Sequence, residues 1–259
     1  MQPNNPNFWT RVDGRLQYRN LQAEEHAVRH SVFEAYRHGQ IDEPALIYYE
    51  VYDCHSSGYI DDSMYQRGDC QILNGDVVLD LGANIGIFSR FAADKGASKI
   101  YSFEPTLQNF ELLMLNRPSV CEAHRIAVSN QDNQALQIAY KPECPGGSSI
   151  VKHDDGELQT CMGMTVSTLI ERGIIQQPDF IKMDIEGAEI YAFDGIQDSH
   201  LQAARCLTME MHVEAIGQDE ANKIYNRMAS LGFESFTLFN PDHNNIVWFV
   251  NRSKVWKQS

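Results

Sequence analysis

Three things are scarce in this sequence, and each scarcity closes off a class of protein. No apolar run approaches the roughly 20 residues that span a bilayer, and the first ten residues, Met1 to Thr10, are polar rather than basic and then apolar. A cytoplasmic chain without a membrane partner is expected. Basic residues are few: 21 Lys and Arg stand against 35 Asp and Glu, a formal net charge of −14. Such a chain is repelled by phosphate backbones, so nucleic acid is not an expected partner. Paired cysteines are also missing. The six cysteines, Cys54, Cys70, Cys121, Cys144, Cys161 and Cys206, include no C-x-x-C, which argues against a zinc ribbon or a redox dithiol and for free thiols.

What is present divides into two parts. Leu21, Ala27, Val28, Val32, Phe33 and Tyr36 recur at helical spacing, and a second helical stretch follows Pro44. Residues 1–70 are therefore expected to form an N-terminal helical cap, and residues 71–259 the main domain. After Gly75-Asp76, short apolar runs alternate with amphipathic ones. Strands are expected at Val77–Leu81, Lys99–Phe103, Ala123–Val128, Phe180–Met183 and Cys206–Met211, with helices between them. That alternation predicts an α/β fold, Rossmann-like and doubly wound, with a mostly parallel sheet. Ser235–Phe239 and Ile246–Val250, joined by a loop rich in turn formers, predict a C-terminal antiparallel hairpin. Residues 142–156 read as the longest loop.

The strongest local signal is the run Val78-Leu79-Asp80-Leu81-Gly82-Ala83-Asn84-Ile85-Gly86, a strand entering a glycine turn and then a helix. Gly82 is expected to spare a bound ligand from a side chain, and Gly86 to let the helix approach the strand. A pyrophosphate dinucleotide favours G-x-G-x-x-G; this loop is G-x-x-x-G and opens with the carboxylate Asp80. An acidic strand end suits a cationic nucleotide, S-adenosylmethionine, better than an anionic one. Glu104 ends the second strand about 20 residues on, where an acid can accept from ribose hydroxyls, and Pro105 fixes the exit. Ala127 and Val128 are expected to line an adenine slot. Ala83 and Asn84 complete the donor-binding set.

These residues resemble the FkbM-type methyltransferases, whose D-L-G-A-N-x-G loop is matched by Asp80 to Gly86, whose acidic-Pro step is matched by Glu104-Pro105, and whose K-x-D-x-E-G-x-E segment is matched by Lys182 to Glu189. The resemblance covers about Asp76 to Val250. It implies a class I methyltransferase fold and O-methylation of hydroxyls on polyketide or sugar acceptors. One departure stands at Ile170, where similar proteins commonly carry an acid.

Methyl transfer from a sulfonium is an in-line displacement, so the protein must position the acceptor and remove its proton. Two strand ends carry suitable groups. The fourth supplies Asp184 and Glu186; the fifth supplies Glu210, His212 and Glu214 at two-residue spacing, hence on one face of an extended chain. Asp184 is expected beside the donor's methionine end or the acceptor. His212 or Glu186 is expected to take the acceptor proton, with an imidazole titrating near neutrality the better base, and Glu210 completes the catalytic set. A divalent cation on Asp184, Glu186, Glu210 and His212 is the less favoured arrangement. The expected activity is S-adenosylmethionine-dependent O-methylation of a small or medium-sized molecule, yielding S-adenosylhomocysteine. N-methylation, a silent donor-binding scaffold and an NAD-linked oxidoreductase are the competing readings.

Overall fold

A computed structural model describes residues 9–12, 15–18, 65–140, 157–238 and 245–255. The expected helices between residues 20 and 51, the 142–156 loop and the 240–245 turn lie wholly or mostly outside these residues. Within the first seventy, β1 (Trp9–Val12) and β2 (Arg15–Tyr18) pair as an antiparallel hairpin that the sequence reading did not foresee.

The main domain follows the expected alternation. In chain order it comprises β3 (Val77–Leu81), α1 (Ile87–Asp94), β4 (Lys99–Phe103), α2 (Leu107–Asn116) and β5 (Cys121–His124). Next come β6 (Ile126–Val128), β7 (Gln134–Tyr140), β8 (Glu157–Met164), α3 (Val166–Glu171), β9 (Phe180–Met183), α4 (Glu189–Asp194) and α5 (Asp198–Ala203). The domain ends with β10 (Cys206–Met211), α6 (Val213–Ile216), α7 (Gln218–Ser230), β11 (Phe233–Leu238), β12 (Asn245–Asn251) and α8 (Arg252–Val255). Seven strands form one sheet in the order β11-β12-β10-β9-β3-β4-β5. Contacts from β10 to β5 are parallel, and β12 is antiparallel to both β10 and β11. The order reverses direction at the β3/β9 boundary, the place where ligands of open α/β sheets bind.

The strands are apolar on both faces because both faces are covered. Leu79, Leu81, Phe103, Ile181, Met183, Leu207, Met209 and Phe249 point to one side, where Ala192 and Phe193 of α4 and Ile224 and Met228 of α7 meet them. The alternate residues Val78, Ile100, Phe180, Cys206 and Trp248 point to the other, against Phe88 and Ala92 of α1. On that second face one register row is polar: Ser102, Asp80, Lys182 and Thr208 sit side by side across β4, β3, β9 and β10. Burying such a row requires partners within it.

One expected strand is two. Ala123–Val128 divides at Arg125, with β5 in the main sheet and β6 pairing with β8 in a separate three-stranded sheet, β6-β8-β7. Arg125 holds the crossing: its Nε donates to the Pro105 carbonyl at 3.2 Å and its guanidinium to that of Thr160 at 3.4 Å. Cys70, Cys121, Cys161 and Cys206 are free, as expected; Cys54 and Cys144 lie outside the described residues. No helix among the described residues is long and apolar enough to cross a membrane.

Candidate functional site

The glycine turn leaves β3 with Gly82, Asn84 and Gly86 all at positive φ: 77°, 49° and 93°. A non-glycine residue held left-handed, as Asn84 is, stores strain that the surroundings must hold in place. Here the holder is Glu104, whose Oε2 accepts from the Asn84 amide at 3.0 Å. Its Oε1 accepts from the Thr106 amide at 2.9 Å. Glu104 is buried, and burial pushes its carboxyl above the usual range against these donors. Three further loop amides have partners: Gly82 and Ala83 donate to the Phe103 carbonyl at 3.0 and 2.9 Å, and Gly86 to that of Ala83 at 2.8 Å.

Both glycines also have close packing neighbours in the protein. A Cβ on Gly82 would lie 1.7 Å from the Asp184 carbonyl oxygen. The close approach of the β9 exit therefore demands a glycine here by itself. A Cβ on Gly86 would lie 2.7 Å from Leu113 on α2, so that glycine lets α1 and α2 come close.

Asp80 is fully buried beneath the turn, with Lys182 Nζ 3.4 Å from Oδ1 and the Ser89 hydroxyl donating to Oδ2 at 2.7 Å. Its charge is matched inside the protein and does not face the cleft. Lys182 also donates to the Gly82 carbonyl at 2.7 Å and lies 3.7 Å from Asp184. One buried cation thus ties the turn to both neighbouring strand ends. Burial opposes that charge, but Asp80 and Asp184 hold the Lys182 pKa above its usual value. A lysine inside the apolar run Phe180-Ile181-Lys182-Met183 was the available signal, since such a residue is almost never buried unpaired.

Ala127 and Val128 lie on β6, past the end of β5 at His124, and both are buried. Ala127 packs with Ile138 and Cys161, and Val128 belongs to the main core.

The chemical groups gather beyond β9 and β10. Asp184, at the end of β9, accepts from the Tyr65 hydroxyl at 2.9 Å on Oδ2, while its Oδ1 is buried with no hydrogen-bond partner. Tyr65 had no sequence signal beyond being one aromatic among several. Glu186 occupies the turn at φ 56° and Gly187 at 94°. The extended row expected from β10 is cut short: His212 caps α6, so Glu214 turns away into the helix.

His212 is buried between two acids. Its Nδ1 donates to Glu189 Oε1 at 2.8 Å, and its Nε2 lies 3.4 Å from Glu186 Oε2. Burial alone would lower its pKa, but the Glu189 hydrogen bond and the charges of Glu189, Asp184 and Glu186 outweigh it and push it up to about 10. The ring is an imidazolium at neutral pH, not the near-neutral base expected. Burial and the neighbouring Asp184 raise Glu186, to about 8, against the pull of His212. Ligand-type atoms of Asp184, Glu210 and His212 fall within 4.8 Å of one another. Both ring nitrogens of His212 face Glu189 and Glu186, and its charge also interacts with that of Asp184.

Residues 80–235, more than half of the chain, match the family described as the methyltransferase FkbM domain. The hexuronic acid methyltransferase AglP of Haloferax volcanii is 26% identical over 180 residues, 66% of this chain and 70% of that one. The 31-O-demethyl-FK506 methyltransferase FkbM of Streptomyces tacrolimicus is 24% identical over 209 residues, 68% and 77% of the two chains. The crystal structure of methyltransferase FkbM from Methylobacillus flagellatus KT aligns with a TM-score of 0.49 and 17% identity over 74% of this chain, which spans less than half, 46%, of that chain. By the extent of the domain match, the chain belongs to the FkbM methyltransferase family.

Proposed function

We propose that the protein moves a methyl group from S-adenosylmethionine to a hydroxyl oxygen of a small or medium-sized acceptor. The observation that carries the donor is the state of the glycine turn: four of its five amides, those of Gly82, Ala83, Asn84 and Gly86, are engaged within the protein, too few being left to cradle a phosphate. A pyrophosphate needs free amides there; a sulfonium nucleotide does not. The donor set also fits. Glu104 offers carboxylate oxygens at the sugar position, and Asp184 keeps one buried oxygen unsatisfied at the β9 end, suited to the methionine ammonium. Net positive charge on the donor meets Asp184 and Glu210 rather than Asp80, which Lys182 already pairs.

When bound, the donor supplies an electrophilic methyl group. The chain's part is to align the acceptor and take its proton, and Glu186 is the base that the geometry favours, because His212 is already protonated. The hydroxyl proton would pass to a Glu186 carboxylate oxygen as the acceptor oxygen takes the methyl group and the thioether leaves. The raised Glu186 carboxyl places the rate's dependence on its ionisation near pH 8, so kcat climbs with pH through that region. An oxygen acceptor is supported by the names of two relatives, a hexuronic acid and a 31-O-demethyl-FK506 methyltransferase.

Titration calorimetry should detect S-adenosylmethionine and no NAD, and methyl-labelled donor should leave its label on oxygen. Label on nitrogen would replace O- with N-methylation, and NAD binding instead would end the reading. Turnover should be unchanged by chelators; loss of activity restored by a divalent cation would install a metal.

A further inference from the structure

Glu189 is fully buried at the first turn of α4, yet nothing above gives it a part in the reaction. Its Oε1 accepts from the Gly187 amide at 3.0 Å and from His212 Nδ1 at 2.8 Å, and its Oε2 is buried without a hydrogen-bond partner. A lone carboxylate in such a place is costly unless a counterion sits against it. The ring of His212 is that counterion. Its other nitrogen faces Glu186, which stands in the left-handed region beside Gly187.

We propose that Glu189 is a positioning residue: it fixes His212 as a charged donor, which in turn holds the strained Glu186 turn with its carboxylate toward the acceptor hydroxyl. This deepens the reading above and rests on it. Glu189 acts at two points at once, pinning the backbone of the turn through Gly187 and its side chain through the imidazolium. The charged groups facing His212 are Glu189 from α4, Asp184 and Glu186 from the β9 exit, and Glu210 from its own strand. The other three are partly exposed at the cleft; Glu189 alone is sealed from solvent, so its field is the least screened.

The test is Glu189→Gln, which preserves shape and an acceptor for Gly187 but removes the charge. Nitrogen-15 spectra of the histidine rings should show His212 doubly protonated from pH 6 to 8.5 in the native protein and losing a proton within that window in E189Q. The rising limb of kcat should move to higher pH, with kcat about tenfold lower at pH 7.5 and the KM for donor unchanged. Glu189→Asp keeps the charge and should keep both the ring's protonation and the position of the limb. A His212 ring that stays doubly protonated in E189Q, or an unmoved limb, overturns the proposal, as does an E189D protein that behaves like E189Q. A native protein that binds no donor overturns the methyl-transfer reading instead, a result separable from the ring titration.

Discussion

Asp184 takes a hydrogen bond from Tyr65 on one oxygen and keeps the other bare. Tyr65 is reached from outside the family domain, since the match begins at residue 80. It is held by Phe88, edge to face at 5.4 Å, and by Lys182 over its ring at 5.3 Å. Tyr65→Phe keeps these ring contacts and loses only the hydroxyl. A hydrogen bond to a charged group is worth about 2 kcal/mol, so the KM for donor or acceptor should rise on the order of thirtyfold with little change in melting temperature. Steady-state kinetics and a thermal melt check it; an unchanged KM would mean that Asp184 holds its place without help. At this scale the sequence was a good guide to residue type and a poor one to role. Asp80, Glu104, Asp184, Glu186 and His212 were all singled out. That Asp80 is neutralised by Lys182, and that His212 is charged rather than basic, depends on burial and on neighbours far along the chain.

The most constrained contact between elements is that of the β3 exit with the β9 exit. Gly82→Ala puts a methyl group 1.7 Å from the Asp184 carbonyl at φ 77°, so either the turn or the fourth strand end must shift. The expected cost is on the order of 3 kcal/mol in stability, with donor binding lost; denaturant midpoints and calorimetry measure the two. A variant of native stability that binds the donor would show the approach to be dispensable. The central strands were legible because a strand covered on both faces is a largely apolar run, here broken by Asp80, Ser102, Lys182 and Thr208. β7 and β8 were not. Gln134–Tyr140 carries few β-branched residues and is half exposed, and its partner follows only after residues 141–156. The split at Arg125 was equally hidden, because its cause is two carbonyls, of Pro105 and Thr160, from other parts of the chain.

The whole molecule carries a formal charge of −14 and buries part of its acid around one imidazolium. A group whose pKa rises on folding stabilises the fold fully below its unfolded value, and that contribution fades as pH climbs through the folded one. For His212 the window runs from 6.5 to about 10; for Glu186 the same sign applies from 4.5 to about 8. The melting temperature should therefore decline between pH 7 and 10, and His212→Gln should flatten the upper part of that decline. Parallel slopes in the two proteins would show that His212 is not held charged. The sequence by itself determined the order of β-α units, the glycine turn and the acid that ends the second strand, because these follow from periodicity and backbone freedom within a few residues. Only the tertiary structure decided which charges cancel and which remain to act, because ionisation answers to distance and desolvation, and both are set by segments that meet only when the sheet closes.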